Sequence, residues 1–358
     1  MSDVFGKIQH MLKPCSTSID NSIFRLHYKA TMFVLVACSL LLTQKQYFSD
    51  PIDCYHDGKK IDSGILDAYC WINDAYTVPS LLDKEVGKEI AHTGIGASDP
   101  DDRKYHSYYQ WVTLFVYFQA LLFYIPRYLW KILEGGKIKM LAAELNSPIV
   151  DEEVKKSRLE VMVSYFNLNL HHNNNLAFLY IACEVLNFVN VIGQIYFTDR
   201  FIGFEFLTYG TDVIKFTNQD IGTRHDPMDR VFPKVMSCSF HHTGIGGADD
   251  VKIPALCVMP LNILNEKIFI FLWFWYIIVA VLTGIGLLYR IVTFHPTVRR
   301  FMLRTRARLT PAIAVDQVAN KCYYGDWFFL TSLAKNMDPL IFKDFMLKLG
   351  HKFKGVDD

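Results

Sequence analysis

Residues 105–130 read YHSYYQWVTLFVYFQALLFYIPRYLW, and this stretch indicates the fold class of the chain. Its central part, residues 107–126, contains no Asp, Glu, Lys or Arg. A helix needs about 20 consecutive apolar residues to cross the hydrocarbon core of a bilayer. The stretch therefore predicts a membrane-spanning helix.

The two ends of this predicted helix differ in chemistry. Tyr108, Tyr109 and Trp111 predict an aromatic belt at one membrane surface, where amphipathic rings are enriched. Pro126 lies near the other end and is followed directly by Arg127. Because proline cannot donate a backbone hydrogen bond, it predicts a bend where the helix leaves the membrane.

Three further apolar blocks have the character of membrane spans. Residues 176–198 contain one charged residue, Glu184, and residues 268–289 contain none. Residues 30–44 form a shorter apolar block than a span needs, but the lysine at each flank can extend its charge to the membrane surface. Core helices of a soluble protein explain four such blocks less well. We therefore predict an all-α membrane protein built on a four-transmembrane-helix bundle.

The distribution of Lys and Arg predicts the orientation of the chain. Four spans put residues 1–29, 127–175 and 290–358 on one side of the membrane. These segments hold 23 Lys and Arg but 14 Asp and Glu, whereas residues 46–106 and 199–265 hold 12 and 20. Because Lys and Arg are enriched in cytoplasmic segments, we predict a multi-pass plasma-membrane protein with both termini cytoplasmic.

The cysteines divide in the same way. Of the eight, Cys54 and Cys70 lie in the first predicted exterior segment, and Cys238 and Cys257 lie in the second. An oxidising exterior favours disulfide bonds, and no pair has the CxxC spacing of a zinc site. We therefore predict disulfide bonds and no metal. Four cysteines allow three pairings, and their spacing does not choose among them.

The segments between the spans carry secondary structure of their own. On the predicted cytoplasmic side, residues 137–145 and 150–172 are predicted helices. Asp338 caps a further predicted helix, and Gly350 suits the position just past its end. On the exterior side, VFPKVMSCSF and ALCVM are typical of strands. We therefore add a helical cytoplasmic domain and a small disulfide-bonded α/β extracellular domain to the predicted fold.

The third predicted span carries an intramembrane polar stripe. Glu184, Asn187, Asn190 and Gln194 fall within one arc of the helix. Two interpretations stay open: hydrogen bonding between helices, which we favour, or a wall that faces water.

The start of the chain predicts a short amphipathic helix. Val4, Phe5, Ile8, Met11 and Leu12 recur at helical spacing and place apolar side chains on one face. Such a helix can lie on a membrane surface or pack against the first span.

The sequence contains no pattern that predicts catalysis. GxSxG, HExxH and nucleotide-binding Gly-rich motifs in a strand-to-helix context are all absent from the sequence. We therefore predict that the protein is not an enzyme and needs no cofactor.

Several segments resemble one membrane-protein family. Residues 108–112, YYQWV, are similar to the hallmark of the innexins, the gap-junction proteins of invertebrates. Two cysteines in each exterior segment fit this family, whereas connexins carry three. Further segments that resemble innexins are DPIDC (50–54), YIPRYLWKILEGG (124–136), CEVLNFVNVIGQIYF (183–197), LCVMPLNILNEKIFIFLWFW (256–275) and NKCYYGDWF (320–328).

The resemblance implies a large-pore channel. Innexin subunits surround an aqueous pore, and the family suggests an octameric hemichannel that docks to a hemichannel of the adjacent cell. Ions and small metabolites then pass between the cells. The implied partners are copies of this chain, other innexins in heteromers and membrane lipids, with no nucleic acid.

The resemblance also implies roles for individual residues. It pairs Cys54 with Cys257 and Cys70 with Cys238. It folds the N-terminal helix into the pore mouth, so that Asp3, Phe5 and Lys7 line the pore. The family motif comprises Tyr108, Tyr109, Gln110, Trp111, Val112 and Pro126.

Two alternative functions stay open at this point. A pannexin-like hemichannel would open only to the outside, and a four-span adhesion protein would conduct nothing. Glycans on exterior segments would hinder docking, and the sequence contains no N-x-S/T acceptor site. This absence favours a docking channel.

The predicted boundaries divide the chain into nine segments. They are an N-terminal pore helix (1–25), the first span (26–46), extracellular loop 1 (47–106), the second span (107–130), a cytoplasmic helical loop (131–175), the third span (176–198), extracellular loop 2 (199–265), the fourth span (266–290) and a cytoplasmic C-terminal helical domain (291–358).

Overall fold

The computed structural model describes most of the chain. The described residues are 17–57, 61–73, 75–82, 84, 86–97, 99–142, 145, 152–218, 226–243 and 250–354. Their helices are α1 (Ser22–Tyr47), α2 (Ser63–Ile72), α3 (Val112–Glu134), α4 (Lys137–Ala142), α5 (Glu152–Leu168), α6 (Asn174–Phe201), α7 (Phe206–Thr217), α8 (Pro227–Val231), α9 (Pro260–Thr293), α10 (Pro296–Arg306), α11 (Ala312–Lys321), α12 (Tyr324–Asn336) and α13 (Pro339–Lys354). Their strands are β1 (Asp53–Tyr55), β2 (Ala75–Thr77), β3 (Lys104–His106), β4 (Val235–Thr243) and β5 (Asp250–Val258).

Four of the described helices are long and apolar enough to cross a membrane. They are α1, α3, α6 and α9, and each overlaps one of the four predicted apolar blocks. The prediction of a four-helix membrane protein is therefore confirmed. α1 begins after Asn21, whose side-chain oxygen accepts a hydrogen bond from the backbone N–H of Phe24 at 2.6 Å. Within α1, Leu26–Thr31 form a π-helical turn.

The described residues form two compact units. We call residues 32–122 and 191–278 the sheet unit, because it contains all five strands. We call residues 17–31, 123–190 and 279–354 the helical unit.

The sheet unit contains one antiparallel sheet with the strand order β1-β5-β4-β2-β3. β4 and β5 pair along their whole lengths, from Val235 opposite Val258 to Thr243 opposite Asp250. The predicted strand segments VFPKVMSCSF and ALCVM contribute to these two strands. β1 and β2 come from a distant part of the chain and flank the β4–β5 pair, so the sheet joins both predicted exterior segments.

The helical unit has a core rich in aromatic side chains. α12 contributes four consecutive buried residues to it, Trp327 to Leu330, and α13 and α5 pack more rings against them. Phe166 of α5, for example, lies 6.3 Å from Phe329 and 6.2 Å from Phe345 between ring centroids. This packing explains why the C-terminal segment folds as helices although it lies outside the predicted spans.

One predicted helix end is wrong. Gly350 was expected just past the end of a helix, but α13 continues through it to Lys354. A glycine inside a helix costs about 1 kcal/mol relative to alanine. Phe353, which follows Gly350, is only 3% exposed, so its burial offsets this cost. The other end agrees with the prediction, because the Asp338 carboxylate accepts a hydrogen bond from the Leu340 N–H at 2.8 Å.

Candidate functional site

Two disulfide bonds hold the sheet unit together. Cys54 of β1 is bonded to Cys257, which lies directly opposite it on β5. Cys70 of α2 is bonded to Cys238 of β4. This is the pairing that the family resemblance implies, and all four cysteines are buried. The bridges span 203 and 168 residues of sequence, so each connects the two predicted exterior segments.

The YYQWV segment contacts the end of α2 beside one of these bridges. The Tyr109 hydroxyl donates to the carbonyl oxygen of Cys70 at 3.4 Å, and the Gln110 amide donates to that of Trp71 at 2.6 Å. Carbonyls in the last turn of a helix have no partner within the helix. The family motif therefore caps α2 and fixes the position of a disulfide-bonded helix.

The prediction that all three aromatic residues form a membrane-surface belt is wrong. Tyr109 is 0% exposed, and the half-buried Tyr108 donates its hydroxyl hydrogen bond to the carbonyl of Val231 at 3.1 Å. Burial also raises the pKa of Tyr108, so this hydroxyl stays a donor. Both rings turn inward because their hydroxyls bond backbone carbonyls of the sheet unit. Trp111, which is 59% exposed, alone has the exposure that a belt residue needs.

His106 of β3 is a buried titratable group next to this motif. Its Nε2 lies 2.7 Å from Oγ1 of Thr77. Its ring packs edge-on against the ring of Tyr108, with 6.0 Å between the ring centroids. Burial, with a smaller contribution from Lys104, lowers the pKa of His106 from 6.5 to about 4. The imidazole is therefore neutral at neutral pH.

Acidification should destabilise the sheet unit through His106. Its pKa is lower in the folded than in the unfolded protein, so the unfolded chain binds more protons once the pH falls below 6.5. Between pH 7.5 and pH 5 the loss should be about 2 kcal/mol. Thermal unfolding at both pH values measures it. His106→Gln removes the titrating ring and should reduce the pH dependence. An unchanged pH dependence in that variant would contradict the assignment.

Glu184 of the polar stripe forms a buried ion pair in the helical unit. Arg290 of α9 donates to its carboxylate twice, from Nε at 2.6 Å and from Nη2 at 2.9 Å. The Asn21 side chain donates a third hydrogen bond at 2.7 Å. The carboxylate thus connects α6 to α9 and to Asn21, the residue that precedes α1.

The other stripe residues also face protein. Asn187 and Gln194 are each 2% exposed, and Asn190 is half-buried. These positions agree better with contacts between helices than with a water-facing wall. The side-chain amide of Asn187 has no hydrogen-bond partner among the described residues.

Sequence reasoning missed a second set of interhelical hydrogen bonds, in the sheet unit. Gln119 of α3 donates to Thr198 of α6 at 2.8 Å and accepts from the Tyr276 hydroxyl of α9 at 3.1 Å. All three side chains are buried. Gln119 stands alone among apolar residues in YFQALLF, and a single amide in such a run is the signal that could have identified it.

Sequence reasoning also missed the partners of Asp326, which lies in the first turn of α12. It is 0% exposed and accepts hydrogen bonds from the backbone N–H groups of Tyr323 and His171 and from the Asn173 amide, all between 3.1 and 3.2 Å. It therefore anchors the start of α12 to the turn before α6. No local pattern predicts this contact, because the partners lie about 150 residues apart.

The other residues predicted from the sequence are Pro126 and the three N-terminal residues. Pro126 lies inside α3, which continues beyond it to Glu134. Asp3, Phe5 and Lys7 lie outside the described residues. Cysteine, histidine and carboxylate side chains can bind a metal when several of them lie close together. Among the described residues, the only such cluster is Cys54, Cys70 and Cys257, whose sulfurs are in disulfide bonds and offer no thiolate.

Comparison with known proteins identifies the family. A sequence profile of the Innexin family matches residues 20–353. The chain is 52% identical to innexin inx2 of Schistocerca americana, over 100% of this chain and 99% of the relative. It is 51% identical to innexin inx2 of Drosophila melanogaster, over 99% and 97%. It is 41% identical to innexin shaking-B of the same species, over 98% and 95%.

These matches cover the four spanning helices and the disulfide-bonded sheet alike. Innexins are channel proteins that form oligomeric gap junctions between cells. The chain belongs to the innexin family and is a gap-junction channel subunit.

Proposed function

We propose that this chain forms an octameric hemichannel with the β-sheet outside the cell and both termini in the cytoplasm. Two such hemichannels dock end to end through their sheets and pass ions and small metabolites. The observation that carries the docking role is the pair of disulfide bonds between the two exterior segments. A rigid surface loses less conformational entropy when it docks.

The orientation is supported by two independent properties. Disulfide bonds persist in an oxidising exterior, so the two bridges in the sheet favour an extracellular position for it. The segments on the opposite side carry 23 Lys and Arg, against 12 on the sheet side. Lys and Arg excess is typical of the cytoplasmic side.

Assembly is supported by the exposure of the spanning helices. In each of the four, 33–44% of the most apolar window is buried within the chain. The remaining apolar surface needs lipid or another subunit. Buried polar groups such as Glu184 and Gln119 face protein, which leaves the wall of a wide pore to be built by several subunits.

The N-terminal residues are proposed to line the pore. This role rests on the family resemblance and on the amphipathic pattern of Val4 to Leu12. Asp3, Phe5 and Lys7 would then line the pore, and Asp3 and Lys7 would present charge to permeating ions. Heteromers with other innexins would form through the same exposed helix faces.

Dye transfer between paired cells that express only this chain tests the docking role. We expect a small tracer dye to pass from cell to cell. Purified particles viewed along the membrane normal should show eightfold symmetry around a central hole. Dye release to the medium without transfer between cells would favour a pannexin-like hemichannel. Particles without a hole would contradict the channel.

A further inference from the structure

A charged cavity lies in the helical unit where α9, α10 and α12 meet the segment before α1. Its volume is about 150 Å³. An engineered cavity of about this volume can hold a benzene molecule, and a phosphate group is smaller. Three cations line it, namely Arg290 of α9, Arg306 of α10 and Lys335 of α12. Among the described lining residues, Asp20 is the only acid.

Asp20 is already neutralised by other groups. Its carboxylate lies 2.7 Å from Nε of Arg25 and 3.0 Å from Nη1 of Arg127, and it accepts a hydrogen bond from Tyr28. Two arginines therefore share one carboxylate. Asp20 therefore has no charge left to compensate Lys335 or Arg306.

The lining cations differ in how far they are satisfied. Arg290 uses two of its nitrogen atoms to bind Glu184. Lys335 donates to the backbone carbonyl of Asp20 at 2.5 Å, which leaves two ammonium hydrogens. Among the described residues, no carboxylate lies within ion-pairing distance of Lys335 or Arg306.

The electrostatics of Lys335 point the same way. Burial, and then the positive charge of Arg25, lower the pKa of Lys335, and Arg306 adds to the repulsion. Asp20 opposes this effect but does not cancel it. An anion placed between Lys335 and Arg306 would remove this repulsion.

We propose that this cavity binds a phosphate group, with Arg306 and Lys335 as its principal ligands and Arg290 as a third cation. Arginine and lysine both bind phosphate well, since charge-assisted hydrogen bonds are stronger than neutral ones. The phosphate can come from a phosphoinositide headgroup or from a soluble anion. The proposed orientation places the cavity on the side of the cytoplasmic leaflet, where basic pockets between helices bind such headgroups.

The ligand would touch the entry to the first span. Ser18 to Asn21 form one wall of the cavity, and α1 begins at Ser22. A phosphate bound there would connect α10 and α12 to the residues that directly precede α1. Binding should therefore stabilise the helical unit against unfolding.

The test uses the purified full-length oligomer in detergent at fixed ionic strength. Titration calorimetry measures the binding of dioctanoyl phosphatidylinositol bisphosphate, inositol trisphosphate and inorganic phosphate. Arg306→Gln with Lys335→Gln should weaken phosphate binding by about tenfold or more. Arg308→Gln with Lys352→Gln removes the same charge from exposed positions outside the cavity and should bind like the wild type.

The source of the phosphate follows from which ligands bind. If the cavity variant binds all three ligands more weakly than the wild type, the site recognises phosphate itself. If the wild type binds only the lipid and the cavity variant binds it more weakly, the site recognises a lipid headgroup. Arg306→Gln by itself gives a second variant in case Lys335 is needed for folding, because Arg306 is exposed. Equal binding by the wild type and both cavity variants would overturn the proposal, as would no binding at all. Dye transfer between cells is measured separately, so failure of the site differs from failure of the channel.

Discussion

Replacing Cys70 or Cys238 with serine should abolish dye transfer between cells. The bond between them fixes α2 to β4, and α2 is the helix that the family motif caps. In the chain-entropy model, closing a loop of this length stabilises the folded state by about 5 kcal/mol. That is a large part of the stability of a typical domain, about 5–15 kcal/mol.

The matched control uses a cysteine outside the bridges. Cys322 is a buried free thiol of the helical unit, and burial raises its pKa, so it stays protonated. Cys322→Ala should leave dye transfer largely intact, and the same mild effect is expected for Cys15, which lies outside the described residues. Cys54→Ser and Cys257→Ser should behave like Cys70→Ser. Normal coupling in any of the four bridge variants would contradict the docking role of the disulfides.

Replacing Arg290 with methionine should have the second large effect. The change leaves the Glu184 carboxylate, which is 7% exposed, without its cation. Removing one partner of a buried ion pair destabilises a protein by about 3–5 kcal/mol. The fraction of protein that runs as a single oligomer on size-exclusion chromatography should fall, and its thermal unfolding should begin at a lower temperature.

A double variant separates the lost charge from the lost packing. Glu184→Gln combined with Arg290→Met removes both charges and should recover much of the stability. Because both positions lie in spanning helices, protein yield is measured together with oligomer size, in the same detergent extract. A single variant as stable as the wild type would show that the ion pair contributes little.

Some contacts were predictable from local patterns. Asp338 begins α13 as expected, because an N-cap depends on only a few neighbouring residues. Gly350 did not end that helix, because the burial of Phe353 depends on where distant helices pack. Tyr109 failed as a belt residue for the same reason: its partner is a carbonyl on α2, and nothing in YYQWV specifies that helix.

The polar stripe shows the same limit inside the membrane. Its helical spacing placed Glu184, Asn187, Asn190 and Gln194 on one face, as α6 has them. The spacing did not identify Arg290, which lies 106 residues away and forms the ion pair. A charged residue in a span indicates that a partner exists, but only packing brings the two helices together.

The sequence by itself determined the number of spans, the charge bias between the two sets of connecting segments and the division of cysteines between the two predicted exterior segments. Each of these follows from composition along a continuous stretch of chain, which hydropathy and length measure directly. The tertiary structure decided which cysteines meet, which side chains cap α2 and which cations surround the cavity at Lys335. These depend on strand register and helix packing between residues far apart. A shift of one residue in β5 would turn Cys257 to the opposite face of the sheet.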